Sequence, residues 1–346
     1  MTEPRRHPPV AADRIRPSVA VARAAAELAA AGVPAARAEA ELLVGHVLGV
    51  PRGRLALAAE LDAERRDRLA ALVTRRVRRE PLQYLLGAAP FRHLDLAVGP
   101  GVFVPRPETE LLAGWGLAVV GPAAAAPGPT ASAPGPAAAA PGPAAAAVPG
   151  PTAAAAVPGP TAARGPDVPA AGPVTVVDLC SGSGALALSV AQELPAATVL
   201  AVERSPAALD WLRRNAADRA AAGDPPIRVV AGDVTDPDLL AELSGRVDLV
   251  LCNPPYVPAG TPVPAEVQRY DPAEAVFAAG DGLAVIRPVI GLAARLLRPG
   301  GWLGIEHDDT HATTVPALLV ADGRFIEVED HRDLTGRPRF ATARRR

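Results

Sequence analysis

The sequence predicts an α/β protein: a doubly wound parallel sheet closed by an antiparallel strand pair, preceded by a small helical domain and a β-hairpin. Three observations carry that prediction. From Val174 to the carboxyl end, short apolar runs alternate with helical stretches, which is the pattern of strand–helix–strand units. From Ser18 to Arg79 apolar residues recur at helical spacing instead. Residues 121–173 are an Ala-, Pro- and Gly-rich tract with no large apolar residue beyond a few Val, so they offer nothing from which a core could be built.

Taken in order, residues 1–17 carry Arg and Pro but no apolar stretch, so a disordered tail is expected and not a signal peptide. Ser18 stands where it can cap a helix running through Ala29, with Gly32 ending it. Pro34 opens a second helix, in which Ala40, Leu42, Leu43, His46 and Val47 share one face. Asp62 caps a third, with Leu69, Leu72, Val73 and Val77 facing one way. Residues 18–84 therefore read as a helical domain. Residues 85–105 read as a hairpin linker, with strands at 91–98 and 102–104 around a turn at Gly99-Pro100-Gly101. A helix then starts within 105–110, with Pro107 near its first position and two acids in its first turn.

That helix opens the main domain, residues 106–120 and 174–346, which the tract interrupts. Pro and Gly recur in the tract too often for the Ala runs to nucleate a helix, so a disordered insert is expected over 121–173. Such an insert is tolerable because loop-closure entropy grows only about 0.6 kcal/mol per doubling of length. Beyond it, parallel strands are expected at 174–179, 198–202, 227–230, 247–252 and 302–306. Helices are expected from Ala185, from Pro206 and over 283–297. Residues 325–330 and 339–343, around Gly336, supply the antiparallel pair.

Composition excludes several classes of function. The net charge of −2 provides no global positive field to attract nucleic acid. The densest basic run, Arg75-Arg76-Val77-Arg78-Arg79, reads as a solvated helix face. No apolar run approaches the roughly 20 residues of a membrane span, so a soluble, cytoplasmic protein is expected. Cys180 and Cys252 suit a reducing compartment and read as buried, inert thiols. No metal site is expected.

The chemistry concentrates at strand ends. The strand expected at 247–252 closes with Asn253-Pro254-Pro255-Tyr256, at the carboxyl end of a strand, where open α/β sheets bind ligands. Asn253 offers a side-chain carbonyl and Pro254 a main-chain one. Pro255 holds Pro254 out of the helical region and so fixes that direction. Two fixed acceptors can grip both hydrogens of a planar –NH2 while the Tyr256 ring lies against its face. A plain loop is the alternative, since Asn and Pro are common in turns. The strand at 174–179 runs into Cys180-Ser181-Gly182-Ser183-Gly184, whose glycines let a ligand approach the backbone. Asp178, Glu203 and Asp233 then place carboxylates at three successive strand ends. Glu203 is suited to ribose hydroxyls, and Asp233 to an amino group on a base. With acids around it and no Lys or Arg in the loop, the site suits a cofactor without phosphate. S-adenosylmethionine, with its adenosine and positive sulfonium, fits.

The segment 178–184 together with 253–256 resembles the amino-group methyltransferases that use S-adenosylmethionine. Residues 79–87, 104–110 and 333–340 narrow the resemblance to the HemK-type release factor glutamine methyltransferases, over most of 20–120 and 174–343. The resemblance implies a Rossmann-like seven-stranded methyltransferase sheet behind a helical substrate-recognition domain. It also implies a protein substrate, the Gly-Gly-Gln glutamine of class I peptide chain release factors, with no direct nucleic acid and no membrane, and a monomer.

By position, Asn253, Pro254, Pro255 and Tyr256 would hold and orient the amide. Arg106, Glu108 and Thr109 would contribute to the substrate site, Arg106 being equally readable as an ion-pair partner. Asp178, Cys180, Ser181, Gly182, Gly184, Glu203, Asp233 and Asn253 would bind the cofactor. The family usually has Gly where Cys180 stands, a change expected to narrow the pocket only slightly. No strong base is evident near Asn253, and His307 reads as structural. The same tetrapeptide also serves enzymes acting on a ribosomal protein, DNA adenine or ribosomal RNA. A non-catalytic protein that keeps the fold is the reading from another class.

Overall fold

The computed structural model describes residues 14–124 and 173–346. The tail expected at 1–17 lies outside the described residues up to residue 13, and the insert expected at 121–173 lies outside them from 125 to 172. The chain divides into two compact units. One holds the described residues up to Pro90 with Asp95–Val104 and Gly260–Phe277, and the other holds the described parts of Phe91–Leu94, Pro105–Ala259 and Ala278–Arg346.

The first unit is built on α1 (Pro17–Ala30), α2 (Ala36–Leu48), α3 (Ala63–Val77) and the short α4 (Leu82–Leu86). Helix α1 starts one residue before the expected Ser18 cap. Pro17 occupies the first turn, where its fixed φ suits the helix and its missing N–H costs nothing, and no side chain caps the end. Asp62 does cap α3, accepting from the Arg65 N–H at 3.0 Å. Leu28, Ala40, Leu43, Val44, Leu61, Leu69, Leu72 and Val73 share one core. Two expected core positions are wrong: Leu42 and Val77 are each 38% exposed. Val44 takes the inward place on α2, and on α3 it falls to Arg76, 3% exposed. The basic run is therefore not a simple solvated face. Arg76 is buried between carboxylates, with Glu39 at 2.5 Å and Glu266 at 2.9 Å, which supplies the partners that a buried charge requires.

The hairpin is real but shifted. Strands β1 (Ala88–Phe91) and β2 (Leu94–Ala97) pair around Arg92-His93, whereas Gly99-Pro100-Gly101 leads into no strand. Arg92 takes the left-handed conformation, φ 52°, at the tight turn.

In the second unit α5 (Thr109–Ala124) is followed by β3 (Thr175–Leu179), α6 (Ala185–Glu193), β4 (Thr198–Glu203), α7 (Pro206–Ala221), β5 (Arg228–Ala231) and β6 (Val247–Cys252). Short elements come next in the chain: β7 (Val257–Pro258), then α8 (Ala265–Tyr270) and α9 (Ala273–Val276), which belong to the first unit, and β8 (Phe277–Ala278) at the return to the second. Helix α10 (Ile286–Leu296), β9 (Leu297–Glu306), α11 (Thr314–Asp322), β10 (Phe325–Arg332) and β11 (Pro338–Arg345) complete the chain. Helix α5 runs past the expected end at 120, so the first residues assigned to the insert continue a helix.

Seven strands form one sheet in the order β10-β11-β9-β6-β3-β4-β5. The five strands from β9 to the edge strand β5 pair in parallel, and the β9–β11 and β11–β10 pairings are antiparallel, so the expected sheet class holds. The chain leaves β3 toward β4 on one side and returns as β6 on the other. The switch point therefore falls between β3 and β6, where such sheets open a ligand crevice at their carboxyl ends. Register makes this concrete: Leu179 lies opposite Cys252, so Cys180 and Asn253 leave the sheet side by side.

Helix α5 is set close to the sheet. A Cβ on Gly304 of β9 would come within 2.6 Å of the Leu112 side chain and 2.8 Å of the Trp115 ring. Trp115 meets Trp302 edge-on at 5.9 Å. That packing brings Thr109, the first residue of α5, to the carboxyl ends of β6 and β9.

Candidate active site

Strand β6 delivers the Asn-Pro-Pro-Tyr segment because its apolar run is buried almost throughout. Pro254 is buried, while Asn253, Pro255 and Tyr256 are half-buried at the rim. The Asn253 amide donates from Nδ2 to Thr109 Oγ1 at 3.0 Å. Thr109 Oγ1 donates to Glu306 Oε2 at 2.8 Å, and the Tyr256 hydroxyl donates to Glu306 Oε1 at 2.9 Å. Three segments far apart in sequence thus meet on one carboxylate. The Tyr256 ring is pinned by its hydroxyl.

Glu306 went unrecognised in the sequence; it reaches Asn253 through the Thr109 hydroxyl and not directly. It closes β9 and is 1% exposed. Burial pushes its carboxyl up to about 7, against the bonds from Thr109 and Tyr256 and the charge of Arg339, with Glu108 adding to the rise. A signal was available: an acid ends the apolar run Trp302-Leu303-Gly304-Ile305, the same strand-end position that singled out Asp178, Glu203 and Asp233.

The glycine turn lies beside it. Cys180 is left-handed, φ 59°. The expectation that Cys at this position only narrows the pocket is therefore incomplete. An L-residue there bears a backbone cost of about 1–2 kcal/mol that glycine avoids. Gly182 is also left-handed, φ 56°, with open space on the side a Cβ would occupy. Of the two thiols expected to be buried, only Cys252 is; Cys180 is half-exposed. Burial pushes the Cys252 thiol up, and the neighbouring Cys180 adds to that.

The carboxylates differ in how much capacity they retain. Asp178 accepts from the Ala187 N–H through Oδ2 at 3.2 Å, but its buried Oδ1 has no hydrogen-bond partner among the described residues. Burial first, and then the charge of Glu203, push its carboxyl up to about 7, against the bond from Ala187. Glu203 ties the turn to β4: the Gly182 N–H donates to Oε2 at 2.9 Å, and the N–H groups of Arg204 and Ser205 donate to Oε1 at 2.8 Å. Oε2 keeps a lone pair for a further donor. Asp233 is more fully engaged. Thr235 donates to Oδ1 through its N–H and hydroxyl at 2.9 and 2.8 Å, and Arg204 meets Oδ2 at 3.2 Å. The Thr235 N–H leads the causes that hold its pKa down.

The Ser181 hydroxyl is committed to the Asp178 carbonyl at 3.0 Å, and Gly184 is needed for packing, since a Cβ there would meet Leu212 at 2.6 Å. Arg106 and Glu108 are half-buried ahead of α5. His307 is wholly buried, its Nε2 2.9 Å from Asp330 and its Nδ1 2.9 Å from the Asp308 carbonyl, which suits a structural role.

An orphaned buried acceptor at Asp178, the spare lone pair of an already bonded Glu203 and open space along Gly182 suit a ligand that brings hydroxyl or amino donors and positive charge. S-adenosylmethionine meets that description. Among the described residues no group of three or more His, Cys, Asp or Glu could hold a metal ion, and no helix is long and apolar enough to cross a membrane.

Comparison with known proteins agrees with this geometry. Residues 20–87 match the model of the PrmC N-terminal domain, and residues 168–269 match that of the methyltransferase small domain. The chain is 44% identical to a protein of Mycolicibacterium smegmatis named release factor glutamine methyltransferase, over 94% of this chain and 96% of that one. It is 39% identical to a protein of the same name from Streptomyces coelicolor, again over 94% and 96%. It is also 36% identical, over 88% of each chain, to a 4-amino-L-phenylalanine/4-methylamino-L-phenylalanine methyltransferase of Streptomyces pristinaespiralis.

Proposed function

The chain belongs to the release factor glutamine methyltransferase family, and from that premise we propose that it methylates the side-chain amide nitrogen of the Gly-Gly-Gln glutamine in class I peptide chain release factors. One observation carries the reading: the Asn253 amide is held through its nitrogen, at 3.0 Å from Thr109, which leaves its carbonyl oxygen for an incoming –NH2. Asp178 and Glu203 would hold S-adenosylmethionine against the glycine turn. When bound, that cofactor supplies the electrophilic methyl group on its sulfonium.

An amide nitrogen is a poor nucleophile because its lone pair is delocalised into the carbonyl. Asn253 Oδ1 and the Pro254 carbonyl would accept one hydrogen each. They concentrate charge on nitrogen and turn the lone pair out of conjugation toward the methyl carbon. Transfer from the bound cofactor would form the N–C bond as the C–S bond breaks, leaving a neutral thioether, and the proton displaced from nitrogen would pass to water. Holding both reactants in line supplies much of the acceleration, up to roughly 7–11 kcal/mol in well-oriented systems. Residues 18–84, which largely coincide with the matched PrmC N-terminal domain, would recognise the release factor. Action in the cytoplasm belongs to the same reading, because release factors work there.

The relative that methylates an aromatic amine favours a second acceptor class: a free 4-aminophenyl amine is also a planar –NH2. Labelled S-adenosylmethionine incubated with a release factor, its Gly-Gly-Ala variant, 4-aminophenylalanine, DNA and ribosomal RNA separates the readings. Label on the Gly-Gly-Gln protein alone is expected. Equal labelling of both protein forms, or labelling only of another acceptor, defeats the proposal.

A further inference from the structure

We infer that Glu306 is a positioning residue for the transfer, setting the donor–acceptor direction of the Asn253 amide through the hydroxyl of Thr109. The inference rests on the reading that Asn253 faces a substrate –NH2. An asparagine amide can occupy its place in two orientations of nearly the same shape. Only one presents an oxygen to the substrate, and in the other Nδ2 would confront the substrate –NH2, donor against donor.

The hydrogen-bond chain decides between them. Glu306, when ionised, can only accept. Its Oε2 takes the one proton of the Thr109 hydroxyl at 2.8 Å, and its Oε1 takes that of Tyr256 at 2.9 Å. Thr109, its proton spent, can only accept from Asn253, and Asn253 Nδ2 fills that place at 3.0 Å. Reversing Asn253 would require the Thr109 proton that Glu306 already holds. Glu306 itself is buried, 1% exposed.

The direction therefore depends on the charge of one carboxyl. Every element packed around Glu306 bears on it. Thr109 comes from the start of α5 and Glu108 from just before it, Tyr256 and Cys252 from the end of β6 and its loop, and Arg339 from β11, whose Phe340 pairs with Glu306. Once protonated, Glu306 can itself donate to Thr109, and the Asn253 orientation is no longer enforced.

The test uses the full chain at saturating S-adenosylmethionine with a release factor as acceptor, between about pH 6 and about pH 9. Glu306→Gln supplies an amide that can donate where the carboxylate only accepted. It should lower kcat by about 100-fold, the scale of a misplaced reacting group, while KM for the release factor moves little. In the wild type, log kcat should rise with pH and level off above about 7. In Glu306→Gln that rise should be absent, which a merely structural lesion would not achieve. Thr109→Val, nearly isosteric but without the hydroxyl, should fall similarly, and Thr109→Ser should recover most of the loss. Cofactor stoichiometry by calorimetry confirms that each variant is folded. Should Glu306→Gln not fold, Thr109→Val against Thr109→Ser reads the same chain of bonds with the carboxylate untouched.

The inference is overturned if Glu306→Gln turns over at the wild-type rate, if it keeps the pH-dependent rise, or if Thr109→Val and Thr109→Ser behave alike. A wild-type protein that binds cofactor yet labels no release factor defeats the acceptor reading instead, a distinct result.

Discussion

At the scale of single residues, Asp178 opposes folding in its charged form. Its carboxyl rises from 3.8 in the open chain to about 7 because it is buried with one oxygen unpartnered. A raised acid binds its proton more tightly in the fold, so its stabilising share is complete below about pH 4 and is lost as pH climbs to about 7. The rise corresponds to about 4 kcal/mol of destabilisation above neutrality. Asp178→Asn removes the charge and keeps an acceptor for the Ala187 N–H. The cofactor-free variant should therefore melt higher than wild type at about pH 8, by several degrees at about 2–4 °C per kcal/mol. That advantage should shrink as pH falls toward about 4. On the proposed cofactor role of Asp178, the order should reverse in saturating S-adenosylmethionine, because the cofactor's donors would engage the carboxylate. Melting curves with and without cofactor at both pH values check this, and a variant that is less stable at pH 8 without cofactor would show that Asp178 is not under desolvation stress.

At the scale of elements, α5 is the part whose placement the site tolerates least. It rests on Gly304, and a methyl there would meet Leu112 and Trp115 well inside van der Waals contact. Gly304→Ala should cost about 1–3 kcal/mol through overpacking. It should also lower kcat more than cofactor affinity, because it displaces Thr109 while Asp178 and Glu203 sit on β3 and β4. Equal losses in both would mean that the whole sheet had yielded. The same element shows what the sequence reveals. The parallel strands were legible because each is a short apolar run bounded by turn residues, and register then brought Cys180 beside Asn253 as the motifs required. The hairpin was misplaced because its turn uses Arg92 at φ 52°, whereas Gly99-Pro100-Gly101 carries the usual turn signal. Leu42 and Val77 were misassigned because an apolar residue at the edge of a helical stripe looks the same in sequence as one at its centre. Glu306 was missed for a different reason: its partners Thr109 and Tyr256 lie 197 and 50 residues away, and only the assembled sheet unites them.

At the scale of the whole molecule, the site draws on separated stretches of chain, and residues 125–172 fall between its first contributor, Thr109, and the others. Two things could hold α5 in place: the length of that connection or the packing of the helix on the sheet. The described contacts favour packing, with Trp115 meeting Trp302 at 5.9 Å and Phe340 at 6.4 Å, and with Leu112 seated over Gly304. If packing holds it, the connection contributes chiefly its closure entropy. Replacing residues 125–172 with a Gly-Ser linker of about a quarter of that length removes two doublings, and so should stabilise the fold by about 1 kcal/mol. Turnover and KM on the release factor should stay at wild-type values, because no residue placed at the site lies in the replaced stretch. Urea midpoints report the first effect and steady-state kinetics the second. A fall in kcat at unchanged stability would place the tract in the reaction, whereas a rise in KM alone would assign it to the encounter with the release factor.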